Sequence, residues 1–135
     1  EGGAIDRASE RVLAVLEAAL RDPAGRWALS AEHGEAVNEF AVTVAEGGRL
    51  RHLVIDRAFV TADGVRWIVD YKTGSHEGGD RAAFVRSEVE RYAPQLRAYR
   101  AAFACLEERP TQTALYFPLL SLLEVVDPVA PRDAD

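Results

Sequence analysis

The sequence predicts an α/β (α+β) domain built on a central mixed sheet of about five strands flanked by helices. An amphipathic helical pattern opens the chain, three consecutive stretches of strand-like periodicity follow, and a long helical pattern separates these from two further strands.

Within residues 7–20, Val12, Leu13, Leu16, Ala19 and Leu20 recur at three- and four-residue spacing, which marks an amphipathic helix. Asp22-Pro23 stops it, because the residue before proline is pushed out of the helical region. A polar stretch with Gly25, His33 and Gly34 leads to residues 37–44, where Phe40, Val42 and Val44 alternate with the period of a strand. Gly47-Gly48 supplies a turn, and residues 50–60 and 65–71 form two β-branched and aromatic runs around the hairpin signal Ala62-Asp63-Gly64. Residues 73–80 are rich in glycine and charge and are expected to form a mobile loop.

A long helix is best defined over residues 87–106, with Tyr92, Leu96, Tyr99 and Phe103 along one face. Pro94 lacks an N–H, so the helix is expected to begin near it or to kink there. Residues 112–117 and 119–126 read as the last two strands, divided at Pro118. A single domain over residues 1–127 followed by a frayed tail over 128–135 is therefore expected.

Composition removes several function classes. Cys105 has no second cysteine to pair with, which excludes an internal disulfide framework and a cysteine-rich metal centre and fits a reducing cytoplasm. No apolar run approaches the ~20 residues that cross a bilayer, so no membrane role is expected. There is no GxxxxGK[ST] phosphate loop, so ATP binding is not expected. The net charge of -6 is the wrong sign for holding nucleic acid by broad phosphate neutralisation alone. A cluster of carboxylates that awaits divalent cations is compatible with that charge.

The candidate chemistry lies in two of the strands. Asp70 and Lys72 are two positions apart, so strand geometry places a carboxylate and an ammonium on one face. An Asp-x-Lys triplet alone is commonly a solvated strand end. Asp56 adds weight because it interrupts the apolar run Leu53-Val54-Ile55, where a carboxylate is costly unless a cation or hydrogen bonds compensate it. Two hairpin registers are open. A three-residue loop pairs Thr61 with Val65 and brings Asp56 opposite Asp70, with side chains roughly 5 Å apart and repulsive unless a cation lies between them. A two-residue Asp63-Gly64 turn brings Arg57 opposite Asp70 instead and forms a plain cross-strand ion pair. Two oxygen-donor carboxylates suit Mg²⁺ or Mn²⁺ better than zinc, and a lysine beside them can stabilise charge on a phosphate.

The runs Val54-Ile55-Asp56-Arg57, Ile68-Val69-Asp70-Tyr71-Lys72-Thr73 and Tyr92-Ala93-Pro94-Gln95-Leu96-Arg97-Ala98-Tyr99 occur in that order. Over residues 37–126 this series resembles the C-terminal nuclease domain of RecB/AddA-type helicase-nucleases, of the PD-(D/E)xK nuclease superfamily with its restriction-endonuclease-like core. The resemblance implies that Asp56 and Asp70 ligate Mg²⁺ or Mn²⁺, that the Tyr71 carbonyl completes part of the shell and that Lys72 is the catalytic lysine. It implies a supporting role for Glu39, and DNA contact or positioning of Lys72 by Gln95 and Tyr99. It further implies a role in DNA double-strand break repair, single-stranded DNA ends as substrate, a helicase portion in the same polypeptide and a RecC/AddB-like partner subunit.

One departure concerns a histidine. The resemblance would place a metal-ligating histidine on a helix upstream of the acidic motifs, yet none occurs within residues 1–22, and His33 and His52 are expected in a loop and at a strand start. The chain is expected to begin after that residue. His76, in the glycine-rich loop, is expected at the surface. Two competing readings are a catalytically silent relative that docks a partner subunit or DNA end, and a generic α/β binding domain with an ion-pair network around Arg57.

Overall fold

The computed structural model describes residues 2–74 and 79–129. The chain runs α1 (Gly2–Arg21), α2 (Pro23–Ala28), β1 (Gly34–Glu46), β2 (Arg49–Val60), β3 (Arg66–Tyr71), α3 (Arg81–Leu106), β4 (Thr111–Phe117), a short 3-10 turn (Pro118–Leu120) and β5 (Leu122–Val126). The five strands form one mixed sheet in the order β1-β2-β3-β4-β5, antiparallel throughout except for the parallel pair β3 and β4. That exception follows from α3, which carries the chain from the end of β3 back to the start of β4, the crossover that parallel neighbours require. Among the described residues no helix is long and apolar enough to cross a membrane.

Local chemistry sets the boundaries. Gly47 and Gly48 both take positive φ, 57° and 77°, and join β1 to β2 through a two-residue turn closed at Glu46 and Arg49. Between β2 and β3 the loop has three residues. The Thr61 N–H donates to the Val65 carbonyl at 3.0 Å, the Gly64 N–H donates to the Thr61 carbonyl at 2.9 Å, and Gly64 supplies a φ of 80°. The register with Asp56 on the Asp70 side of the hairpin is thereby selected over the two-residue alternative.

Other boundaries differ from expectation. Asp22 ends α1 but also starts α2, its carboxylate accepting from the Ala24 N–H, so the polar stretch begins with a six-residue helix. Helix α3 starts at Arg81 rather than near residue 87, because Asp80 caps it by accepting from the Ala82 and Ala83 N–H groups. Pro94 lies inside α3 without ending it. The last strand starts at Leu122, three residues later than expected, since Pro118 opens a 3-10 turn first. Of the expected loop over 73–80, residues 75–78, His76 included, lie outside the described residues, as do 130–135 of the expected tail.

The sheet has two covered faces. Helix α3 covers one, packing Leu96, Tyr99 and Phe103 against Ile55, Ile68 and Leu115. On the other face Ala19 of α1 and Trp27 of α2 pack with Phe59, Val69 and Tyr116. The α1–α2 corner is tight. A Cβ at Gly25 would run into the Ala19 carbonyl and the Tyr116 hydroxyl, which itself donates to the Asp22 carboxylate at 2.8 Å.

Candidate active site

Strand β2 changes face just before the candidate site. Ile55 packs beneath α3, whereas Arg57, two residues on, turns to the opposite side, donating to the carbonyls of Ala28 and Ser30 and to the Asn38 side chain. Strict alternation would put both on one face, so the strand is irregular around Asp56. The neighbouring strand is irregular at the same level. Glu39 lies between Asn38, which pairs with Arg57, and Phe40, which pairs with Ile55, and it has a left-handed φ of 49°. With its guanidinium committed to neutral acceptors near α2, Arg57 does not form the expected alternative ion pair with Asp70.

The ladder between β2 and β3 ends at Arg57 and Val69. Beyond it the Asp56 side chain takes over a main-chain donor, accepting from the Tyr71 N–H at 2.9 Å. Strand β3 keeps its other neighbour: Asp70 pairs with Leu115, Tyr71 with Tyr116, and the Lys72 N–H donates to the Tyr116 carbonyl. The two strands thus part where Asp56 and Asp70 meet. Carboxylates from both sides converge at the opening.

Asp70 is buried, 6% exposed, and its Oδ2 lies 2.8 Å from the Lys72 Nζ. Burial pushes the Asp70 carboxyl up to about 7; the hydrogen bond and charge of Asp56 push the same way, and Lys72 opposes both. Asp56 and Asp70 together face a single ammonium, so the cluster has one carboxylate more than it has cations. The Lys72 ammonium also sits over the Tyr92 ring of α3, 3.3 Å from its centroid. Beside them lies a cleft of about 370 Å³ lined by Lys72, Thr73, Glu88, Arg91 and Tyr92 among others.

Gln95 and Tyr99 act on each other and on β2. Tyr99 is fully buried, its hydroxyl accepts from the Gln95 side-chain amide, and it donates at 2.9 Å to the Val54 carbonyl. That carbonyl lies beyond the last β2–β3 pair, so the hydroxyl satisfies a group left without a ladder partner on that side. Burial raises the Tyr99 phenol above its ordinary pKa and keeps it a donor. The Tyr71 side chain points to the opposite face, edge-on to Tyr116, and burial pushes its phenol up to about 12.

Glu39 is in register with Asp56 but exposed, and among the described residues no three His, Cys, Asp or Glu side chains are gathered for a metal. The donor set nonetheless fits Mg²⁺ or Mn²⁺, which are bound through one or two carboxylates with water and substrate phosphate completing the shell. His33 bonds the Trp27 carbonyl and stacks on Phe59, and His52 bonds Thr43, so both have partners away from Asp56 and Asp70. The sequence placed Tyr92 on the apolar face of the long helix and within the third motif, with no role at the site. A signal for its partner was present, since Lys72 is the only lysine among the 16 basic residues.

The mixed five-stranded α/β sheet brings two carboxylates and a lysine together where its strands part. The sequence matches the family model of the PD-(D/E)XK nuclease superfamily over residues 4–132, and the chain belongs to that superfamily. Its members hydrolyse nucleic acids and typically depend on divalent metals such as Mg²⁺. No curated protein matches the sequence.

Proposed function

We propose that this chain is a Mg²⁺- or Mn²⁺-dependent deoxyribonuclease domain, spanning residues 1–127, of a RecB/AddA-type helicase-nuclease acting in double-strand break repair. The observation that carries this reading is the convergence of Asp56, held by the Tyr71 N–H, with Asp70 and its Lys72 partner where β2 and β3 separate. In this reading Asp56, Asp70 and the Tyr71 carbonyl hold the cation, with Glu39 supporting through water. When bound, the cation polarises a phosphoryl oxygen and lowers the pKa of the attacking water. Lys72 orients that water and stabilises charge developing on the phosphate. Tyr99 fixes β2 two residues before Asp56, and Gln95, half-buried beside it, presents its amide to the DNA backbone. The substrate is the end of single-stranded DNA, delivered by a helicase portion of the same cytoplasmic polypeptide working with a RecC/AddB-like subunit. That delivery accounts for a nuclease whose own net charge is -6.

A second reading, a silent nuclease-fold module that docks a partner subunit or DNA end, draws on the same charge and on the two-carboxylate site. Cleavage of end-labelled single-stranded DNA with Mn²⁺, beside Asp70→Ala and an EDTA control, separates the two. Metal-dependent cutting that vanishes in the variant supports the nuclease. No cutting by the chain, with Mn²⁺ binding still detectable, supports the silent module or an incomplete site.

A further inference from the structure

The Lys72 ammonium has two holds of different chemistry. One is the Asp70 carboxylate, 2.8 Å from Nζ; the other is the face of Tyr92, with the ring centroid 3.3 Å away. On the proposed function, on which this inference rests, the first hold is shared, because Asp70 also ligates a divalent cation. A carboxylate that donates to a dication binds a neighbouring ammonium less strongly, and the dication repels that ammonium. The ring face is neutral and polarised to attract cations, and a hard cation seeking oxygen donors does not compete for it.

Tyr92 is placed to persist in that role. It is half-buried on α3 between the site and the core, and the next residue, Ala93, and Leu96 are buried in that core. The same helix is tied to β2 by the Tyr99 hydroxyl. Lysine is a flexible four-carbon stem ending in a point charge, so without a second contact its ammonium would sample many positions over the cleft.

We propose that Tyr92 is the positioning residue for Lys72, its ring holding the ammonium at the mouth of the cleft when metal draws on Asp70. The role belongs to the ring face and not to the hydroxyl. Phenylalanine at this position supports it and leucine does not.

Because Lys72 is the only lysine, protein labelled with ¹³C-lysine gives one set of ε-methylene signals, which report its position directly. In the wild type those protons should lie upfield of free lysine through the ring current. They should remain upfield in Tyr92→Phe and in Asp70→Asn, and move to the free-lysine position in Tyr92→Leu. In the Mn²⁺ assay with single-stranded DNA, Tyr92→Leu should lower kcat by about tenfold at unchanged KM, and Tyr92→Phe should restore it. Thermal midpoints of the variants show whether each is folded; if Tyr92→Leu is not, wild type, Tyr92→Phe and Asp70→Asn carry the spectroscopic test. A free-lysine shift in folded Asp70→Asn, or wild-type kcat in folded Tyr92→Leu, would overturn the proposal. If the wild type cuts no DNA, the nuclease reading fails separately and the lysine signals alone decide whether the ring holds Lys72.

Discussion

The Tyr71 N–H donates to the Asp56 carboxylate at 2.9 Å, and this bond stands beyond the point where β2–β3 pairing ends. A side chain of one strand replaces a main-chain acceptor and so becomes fixed beside Asp70. Asp56→Ala should therefore lose both a candidate ligand and the partner of a main-chain donor, with a stability cost of about 1–3 kcal/mol for the unmade bond if water does not replace it. Denaturant unfolding in metal-free buffer reads this cost; a midpoint at or above that of the wild type would mean that carboxylate repulsion outweighs the bond.

Asp70→Ala should abolish cleavage while leaving the fold intact, with equal or higher thermal stability in metal-free buffer because the Asp56 repulsion is relieved. Retained full activity would remove Asp70 from the site.

In metal-free buffer the same carboxyl should make stability depend on pH. Its folded pKa, about 7, lies above the ~3.9 of an unfolded aspartate, so between these values the folded state holds more protons than the unfolded one. This contribution is complete below about pH 4 and is lost as pH rises through 7. Thermal midpoints compared between wild type and Asp70→Asn should show the fall only in the wild type, and saturating Mg²⁺ should diminish it.

Lys72→Ala should keep Mn²⁺ binding and lose turnover. Calorimetric titration beside the cleavage assay checks this; loss of both in equal measure would recast Lys72 as a structural partner of Asp70.

Tyr99→Phe removes only the hydroxyl that donates to Val54 and accepts from Gln95. With the ring still packed, the expected loss is about 1–3 kcal/mol for an unsatisfied buried carbonyl. Cleavage should fall as well, because β2 loses its tether two residues before Asp56. A stable variant with normal activity would show that core packing alone accounts for Tyr99.

Much of the architecture was legible because it follows from local pattern. Alternation in β1, the β-branched and aromatic run of β2, the Gly47-Gly48 turn, the helical face through Tyr92, Leu96 and Tyr99, and the order of elements all arise from neighbours within a few residues. Helix α2 was missed because six residues are too short to declare a period, and the start of α3 because its signal is the cap Asp80 and not apolar spacing. The spacing of Asp70 and Lys72 placed them on one face, and their ion pair bears that geometry out.

What the sequence alone determined was thus the set of chemical groups and the elements that carry them. The tertiary structure decided which of those groups meet. The hairpin register depended on a hydrogen bond between Thr61 and Val65, the face taken by Arg57 on acceptors at the end of α2 and just after it, and the partner of Lys72 on a helical residue twenty positions further along the chain. The first is settled within the loop by turn geometry that periodicity does not encode, and the other two join residues whose approach depends on how separate elements pack.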